Sequence, residues 1–163
     1  SMDFVYSSHT LEHMENHVAA LKEWWRVVRV GGHLVLYLPH KDFYPNIGEF
    51  GANPDHKHDF LPEDIVSSMR QLGGWDLLVN EEREAEDEYS FLQVFRKRED
   101  SEQNEPWSKP KTSKTCAIYR LGGWGDVFQM TSILPGLKEQ GFHITVITHE
   151  KAEEVLRHDP LID

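Results

Sequence analysis

Residues Asp3 to Pro39 constrain the fold more than any other stretch of this chain. They open with the short apolar run Asp3-Phe-Val-Tyr6 and continue through Ser7-Ser-His-Thr-Leu-Glu-His13. Val18, Leu21, Trp25 and Val28 then recur at steps of three, four and three, which places them on one face of a helix. Asn16 is suited to cap that helix at its start, and Gly31-Gly32 to cap it at its end and turn the chain. Leu34 to Leu38 is apolar without alternation, the pattern of a strand covered on both faces, as in a parallel sheet. Pro39 ends it. Strand, helix, glycine turn and strand make one βαβ unit. In open parallel sheets ligands gather outside the carboxyl ends of the strands. Ser7, Ser8, His9, Glu12 and His13 are therefore placed for a site. The competing reading makes Leu11 a core plug and Glu12 the first residue of the helix.

The next segment, His40 to Leu61, is long and irregular, with Pro45, Gly48, Gly51 and Pro54. Loops of this length are often functional. Within it, Asp55-His56-Lys57-His58-Asp59 has residue types that ligate metals, but we expect no metal centre and at most a substrate-facing role for His56 or His58. Pro62, Glu63 and Asp64 start a second helix in keeping with its dipole, Ile65, Met69 and Leu72 give its buried stripe, and Gly73-Gly74 stops it. Trp75 to Val79 and Tyr89 to Arg96 read as strands of an antiparallel hairpin. Between them Glu81, Glu82, Glu84, Glu86, Asp87 and Glu88 form an acidic run that reads as a solvated loop.

Residues 98–114 are polar, with Pro106 and Pro110, and read as a linker. A second unit follows. Thr115 to Tyr119 is a strand, Arg120-Leu-Gly-Gly-Trp-Gly-Asp126 a glycine-rich turn, and Val127 to Gln140 a helix that Pro135 must kink or restart. His143 to Thr148 is a further strand and Lys151 to Arg157 a short helix. The organisation expected is thus 1–97, a linker over 98–114, and 115–163.

The first unit resembles the carboxyl-terminal half of a class I S-adenosylmethionine-dependent methyltransferase. Leu11-Glu12-His13 is similar to the signature after that family's fourth strand. Arg26-Val-Val-Arg-Val-Gly-Gly32 is similar to its turn before the fifth, with Val30 where the family usually has proline. The terminal hairpin falls in the family's order. The second unit resembles the amino terminus of the heptosyltransferase-like glycosyltransferases, through Arg120 to Val127, Thr131, Pro135 to Lys138 and His158 to Asp163. The resemblances imply a Rossmann-like α/β fold, a mostly parallel sheet with a terminal antiparallel hairpin. Both units are incomplete in it, and we expect the strands of the second to complete the open sheet edge of the first, within one chain or between two copies.

They also imply S-adenosylmethionine as cofactor and a small-molecule or saccharide acceptor. His9 and His13, at a strand end and of a residue type that titrates near neutral pH, are the candidate bases of methyl transfer. Asp126 is the implied base on an acceptor hydroxyl in the second family, against the alternative that it satisfies backbone amides at a helix start. Candidate cofactor contacts are Ser7, Ser8, Glu12, Gly123 and Gly125. The usual cofactor loop of the first family would precede Ser1, so the chain reads as an enzyme fragment fused to the start of a second enzyme and not competent as given. Two alternatives stay open: a complete small methyltransferase that uses Gly122 to Gly125 as its cofactor loop, or a non-catalytic binding module.

Composition narrows the classes further. A net charge of -11 over 163 residues argues against nucleic acid as a partner, which calls for a basic face. No apolar run approaches the roughly 20 residues of a membrane helix. Cys116 is the one cysteine, which excludes an internal disulfide and fits a reducing, cytoplasmic setting. Open sheet edges also make a homodimer an expectation.

Overall fold

The computed structural model describes residues 1–82, 88–99, 114–121 and 123–163. Much of the acidic run, nearly all of the expected linker and Gly122 lie outside the described residues. Six strands form one sheet: β1 (Met2–Ser8), β2 (Val28–Pro39), β3 (Trp75–Glu82), β4 (Ser90–Lys97), β5 (Lys114–Tyr119) and β6 (Phe142–Ile147). Their order is β3-β4-β2-β1-β5-β6. β1 runs parallel to β2 and to β5, and β5 parallel to β6, while β4 is antiparallel to β2 and β3. This is the Rossmann-like, mostly parallel sheet with an antiparallel terminal hairpin that the sequence led us to expect. The two units share it within one chain.

Side-chain alternation explains why the union holds. Successive strand residues point to opposite faces. β1 sends Val5 into the core on one face and Phe4 and Tyr6 toward the core on the other. β5 divides likewise, Ala117 to the first and Cys116 and Ile118 to the second. On the first face α1 (His17–Val27) and α2 (Pro62–Arg70) supply Leu21, Trp24, Trp25, Ile65 and Met69. On the second, α3 (Trp124–Thr131), α4 (Leu134–Glu139) and α5 (Glu150–Leu156) supply Val127, Met130, Leu134, Ala152 and Leu156. Ile118 is fully buried, a burial that favours folding by about 1.5–3 kcal/mol. The β1–β5 seam is also tied by polar contacts. Asp3 Oδ2 accepts from the Thr115 amide at 2.9 Å and its hydroxyl at 3.1 Å, and Asp3 Oδ1 accepts from Arg29 Nε at 2.5 Å.

Two local expectations change. Gly31-Gly32 does not cap α1. The helix ends at Val27, its C-cap Val28 is already extended, and the glycines lie inside β2. There they absorb a bulge: Met2 pairs with Val28 but Phe4 pairs with His33. A Cβ on Gly32 would stand 2.8 Å from the Asp3 carbonyl oxygen, so only glycine permits this approach of β2 to β1. Gly31 supplies the positive φ of 73°. The helix expected over Val127 to Gln140 begins earlier, at Trp124, and restarts at Leu134, as Pro135 led us to expect. Pro135 sits in the first turn of α4, where its missing N–H costs nothing. Asn16, by contrast, caps α1 as expected, its Oδ1 accepting from the Ala19 amide at 2.9 Å.

Among the described residues no helix is long and apolar enough to cross a membrane. The segment from His40 to Leu61 has no helix or strand beyond a His40–Phe60 bridge. It is held to a short 3-10 turn, Leu11–His13, by amides of Lys57 and His58 that donate to the Glu12 carbonyl at 2.7 and 3.2 Å.

Candidate functional site at the carboxyl edge of the sheet

Because β1, β2 and β5 run parallel, their carboxyl ends meet at one edge. A cavity of about 520 Å³ opens there, in the size range of small-molecule sites. β1 and the residue after it supply Tyr6, Ser8 and His9, β2 supplies Tyr37, and the start of β4 supplies Ser90 and Leu92, next to Glu88 and Tyr89. The second unit supplies Arg120, Asp126, Gln129 and Met130. Neither unit encloses the cavity alone.

Arg120 fastens the two units at this edge. It is buried, and its guanidinium donates to the Ser8 carbonyl at 2.6 Å and to Asp126 Oδ1 at 2.8 Å. Thr10 adds a second tie: its hydroxyl donates to the Ser8 carbonyl at 3.0 Å and accepts from the Leu121 amide at 3.1 Å. Asp126 Oδ2 accepts from the Gly123 amide at 2.9 Å. The Asp126 carboxylate thus holds the start of α3 and the Arg120 fork together, which is the helix-start role set against catalysis in the sequence. Gly123 has φ of -66° and Gly125 has no positive φ. A Cβ on Gly125 would meet nothing within 4 Å, and one on Gly123 only an ordinary contact. Neither conformation nor packing demands these glycines; they leave bare backbone at the entry to α3.

His9 is held in an unusual backbone conformation and is mostly buried. It has φ of 44°, a left-handed conformation unusual for a side chain of this size and a mark of functional positions. Its Nε2 lies 3.1 Å from Ser90 Oγ, and its ring stands 5.4 Å from that of Tyr37 and 5.8 Å from that of Tyr89. Burial, helped by the nearby Arg120 charge, lowers its pKa to about 4, so the imidazole is neutral at neutral pH.

Behind His9 lies Glu12, fully buried, with neither carboxyl oxygen hydrogen-bonded among the described residues. Burial pushes its pKa up to about 8, against the attraction of its own backbone amide and of Arg120. Three imidazoles surround Oε1: His9 Nδ1 at 3.8 Å, His13 Nε2 at 3.7 Å and His56 Nε2 at 3.9 Å. These separations are too long for hydrogen bonds. Burial, and then His13, lowers the His56 pKa.

The structure thus brings Ser8, His9 and Asp126 to the cavity wall. Ser7 is fully buried, with its hydroxyl unpartnered among the described residues. Ser7, Glu12, His13, Gly123 and Gly125 are not among the lining residues; Glu12 and His13 form the buried cluster behind His9. Arg120, Tyr37, Tyr89 and Glu88 went unassigned in the sequence. The signal available was Arg120 directly before the glycine-rich turn.

Residues 1–36 match the family model described as a methyltransferase domain. The match covers β1, the 3-10 turn, α1 and β2 as far as Leu36, and so includes Ser8, His9, Glu12 and His13. Comparison with curated proteins and with solved structures gave no match. A methyltransferase-like function is therefore supported for the start of the chain. The glycosyltransferase resemblance of residues 115–163 rests on the residues alone.

Proposed function

We propose that this chain binds S-adenosylmethionine at the shared carboxyl edge of β1 and β5 and serves transfer of its methyl group to a small-molecule or saccharide acceptor. The observation that carries this reading is the parallel pairing of β5 with β1. It sets Arg120 and Asp126, which bracket the glycines of the turn, beside Ser8 and His9 around one cavity. Of the three readings open in the sequence, this favours the one in which the glycine-rich turn stands in for a cofactor loop; Gly122, part of that turn, lies outside the described residues.

The residues present suit the cofactor. Tyr6, Tyr37 and Tyr89 present aromatic rings, and Glu88 and Asp126 carboxylates, to the same space; aromatic faces and carboxylates both favour a cation such as a sulfonium. Arg120, held by Ser8 and Asp126, keeps its positive charge at one wall. When bound, S-adenosylmethionine supplies an electrophilic methyl group. The chain's part is then to orient and to manage a proton. His9, neutral and held at Nε2 beside Ser90, is the group we assign to accept the proton of the acceptor. Asp126 is already engaged by two donors and is given no base role.

Isothermal titration with S-adenosylmethionine and S-adenosylhomocysteine tests this reading. Dissociation constants below about 100 μM, or more than about 5 kcal/mol, are expected, with at least a tenfold loss on Tyr37→Ala. Absence of binding at millimolar ligand overturns the proposal.

A further inference from the structure

We propose that Glu12, His13 and His56 bind one Zn²⁺ ion per chain, in a buried site behind the cavity wall. Two imidazoles and one carboxylate are a recurrent zinc set. One ligand atom from each of the three residues lies within 4.8 Å of the others. Tetrahedral zinc with bonds of about 2.0–2.1 Å sets its ligands about 3.3 Å apart. The Glu12 Oε1 separations of 3.7 and 3.9 Å need only a few tenths of an ångström of closure.

Two independent features point to a cation there. Glu12 is fully buried and both its oxygens lack a hydrogen-bond partner among the described residues. A buried carboxyl group left unpaired is costly, and an ion is one of the few things that resolve it. The second feature is the tautomer of His13. Its Nδ1 lies 3.2 Å from the Asp55 carbonyl oxygen. A carbonyl only accepts, so Nδ1 carries the proton and donates. In the neutral ring this leaves the Nε2 lone pair on the Glu12 side, free to take a metal ion, and a backbone carbonyl that orients a ligating histidine in this way is usual around metals. The His13 and His56 rings stand edge to face at 4.8 Å. Magnesium and calcium take six or more oxygen ligands, so this nitrogen-rich set disfavours them; among the metals that imidazole suits, zinc is the one the proposal commits to. The ion would pin the loop from His40 to Leu61 onto the turn that follows β1. This inference does not rest on methyl transfer.

The full chain, stripped with a chelator, is titrated calorimetrically with Zn²⁺. One ion per chain is expected, with a dissociation constant in the micromolar range or tighter. Glu12→Gln and His56→Ala should each weaken binding at least tenfold, with circular dichroism confirming that they fold. His158→Ala, on the exposed surface, should leave it unchanged. Co²⁺ loaded into the unaltered chain gives a second readout that needs no variant: an intense visible band of tetrahedral cobalt is expected. Binding that Glu12→Gln and His56→Ala leave intact, a weak octahedral cobalt spectrum, or no Zn²⁺ binding at all overturns the proposal.

Discussion

At the scale of single residues, the informative side chains are those held where their usual charge state is disfavoured. Lys97 is a structural case. Its buried ammonium donates to the carbonyls of Trp25 at 3.0 Å and Val28 at 3.1 Å, closing the end of α1 onto the sheet. Burial, with the nearby Arg26 charge, lowers its pKa from 10.5 to about 8. Between these values the unfolded chain holds a proton that the folded chain has released. Stability therefore rises as pH increases from about 8 toward 10.5, by up to about 3 kcal/mol, and is flat below. Urea midpoints measured at neutral pH and near pH 10 should show this rise, and Lys97→Met should lack it. His9 is the functional counterpart. Its neutral ring is not a property of the sequence Ser-Ser-His-Thr; it comes from burial in a pocket walled by Tyr37, Tyr89 and Ser90 and from the Arg120 charge. His9→Asn, which keeps the small polar side chain that tolerates this backbone, should reduce methyl transfer 10²-fold or more while leaving cofactor affinity within a few-fold. An equal loss in both would contradict its role as proton acceptor.

At the scale of elements, the junction between β1 and β5 decides whether the two halves act as one. Asp3 is its latch. Burial works to raise the pKa of Asp3, but the Arg29 guanidinium and the Thr115 amide and hydroxyl overcome it, so the net shift is downward. Its contribution is fully present above the ordinary carboxylate value and is lost as pH falls through the lower folded one. Asp3→Ala should cost about 1–3 kcal/mol by leaving the Thr115 amide without its acceptor. Hydrogen exchange at Ala117 and Tyr119, whose amides face β1, should then speed up more than exchange at Leu36 and Phe95, which lie in the β2–β4 pairing. Equal acceleration everywhere would mean that Asp3 stabilises the chain without locking this seam. Several elements were legible because their cues are local: the Asn16 cap, the Pro62 start and the stripe of Ile65, Met69 and Leu72 need only neighbours in sequence. The Gly31-Gly32 pair misled because a glycine pair after a helical face signals a cap. Its actual cause, the approach of β2 to the Asp3 carbonyl, lies 29 residues earlier in the chain.

At the scale of the whole molecule, the two units behave as one sheet with a core on each face. Cleavage at a protease site inserted between residues 100 and 113 should leave two pieces that elute together in size exclusion, since β1 and β5 supply each other's edge and Arg120 crosses between them. Separation of the pieces under native conditions would show that the seam is too weak to form a shared cavity. The sequence by itself determined the kinds and order of the elements, the parallel character of the central strands and the candidates at their carboxyl ends, because periodicity, caps and turn residues act over a few positions. Only the tertiary structure decided that β5 closes the β1 edge within the same chain, that Arg120 joins Ser8 to Asp126, and that His56 meets Glu12 and His13. The contacts of Arg120 with Ser8 and of His56 with Glu12 and His13 link residues 43 to 112 positions apart, and such pairings are set by which faces and edges can be buried together, a condition no local pattern encodes.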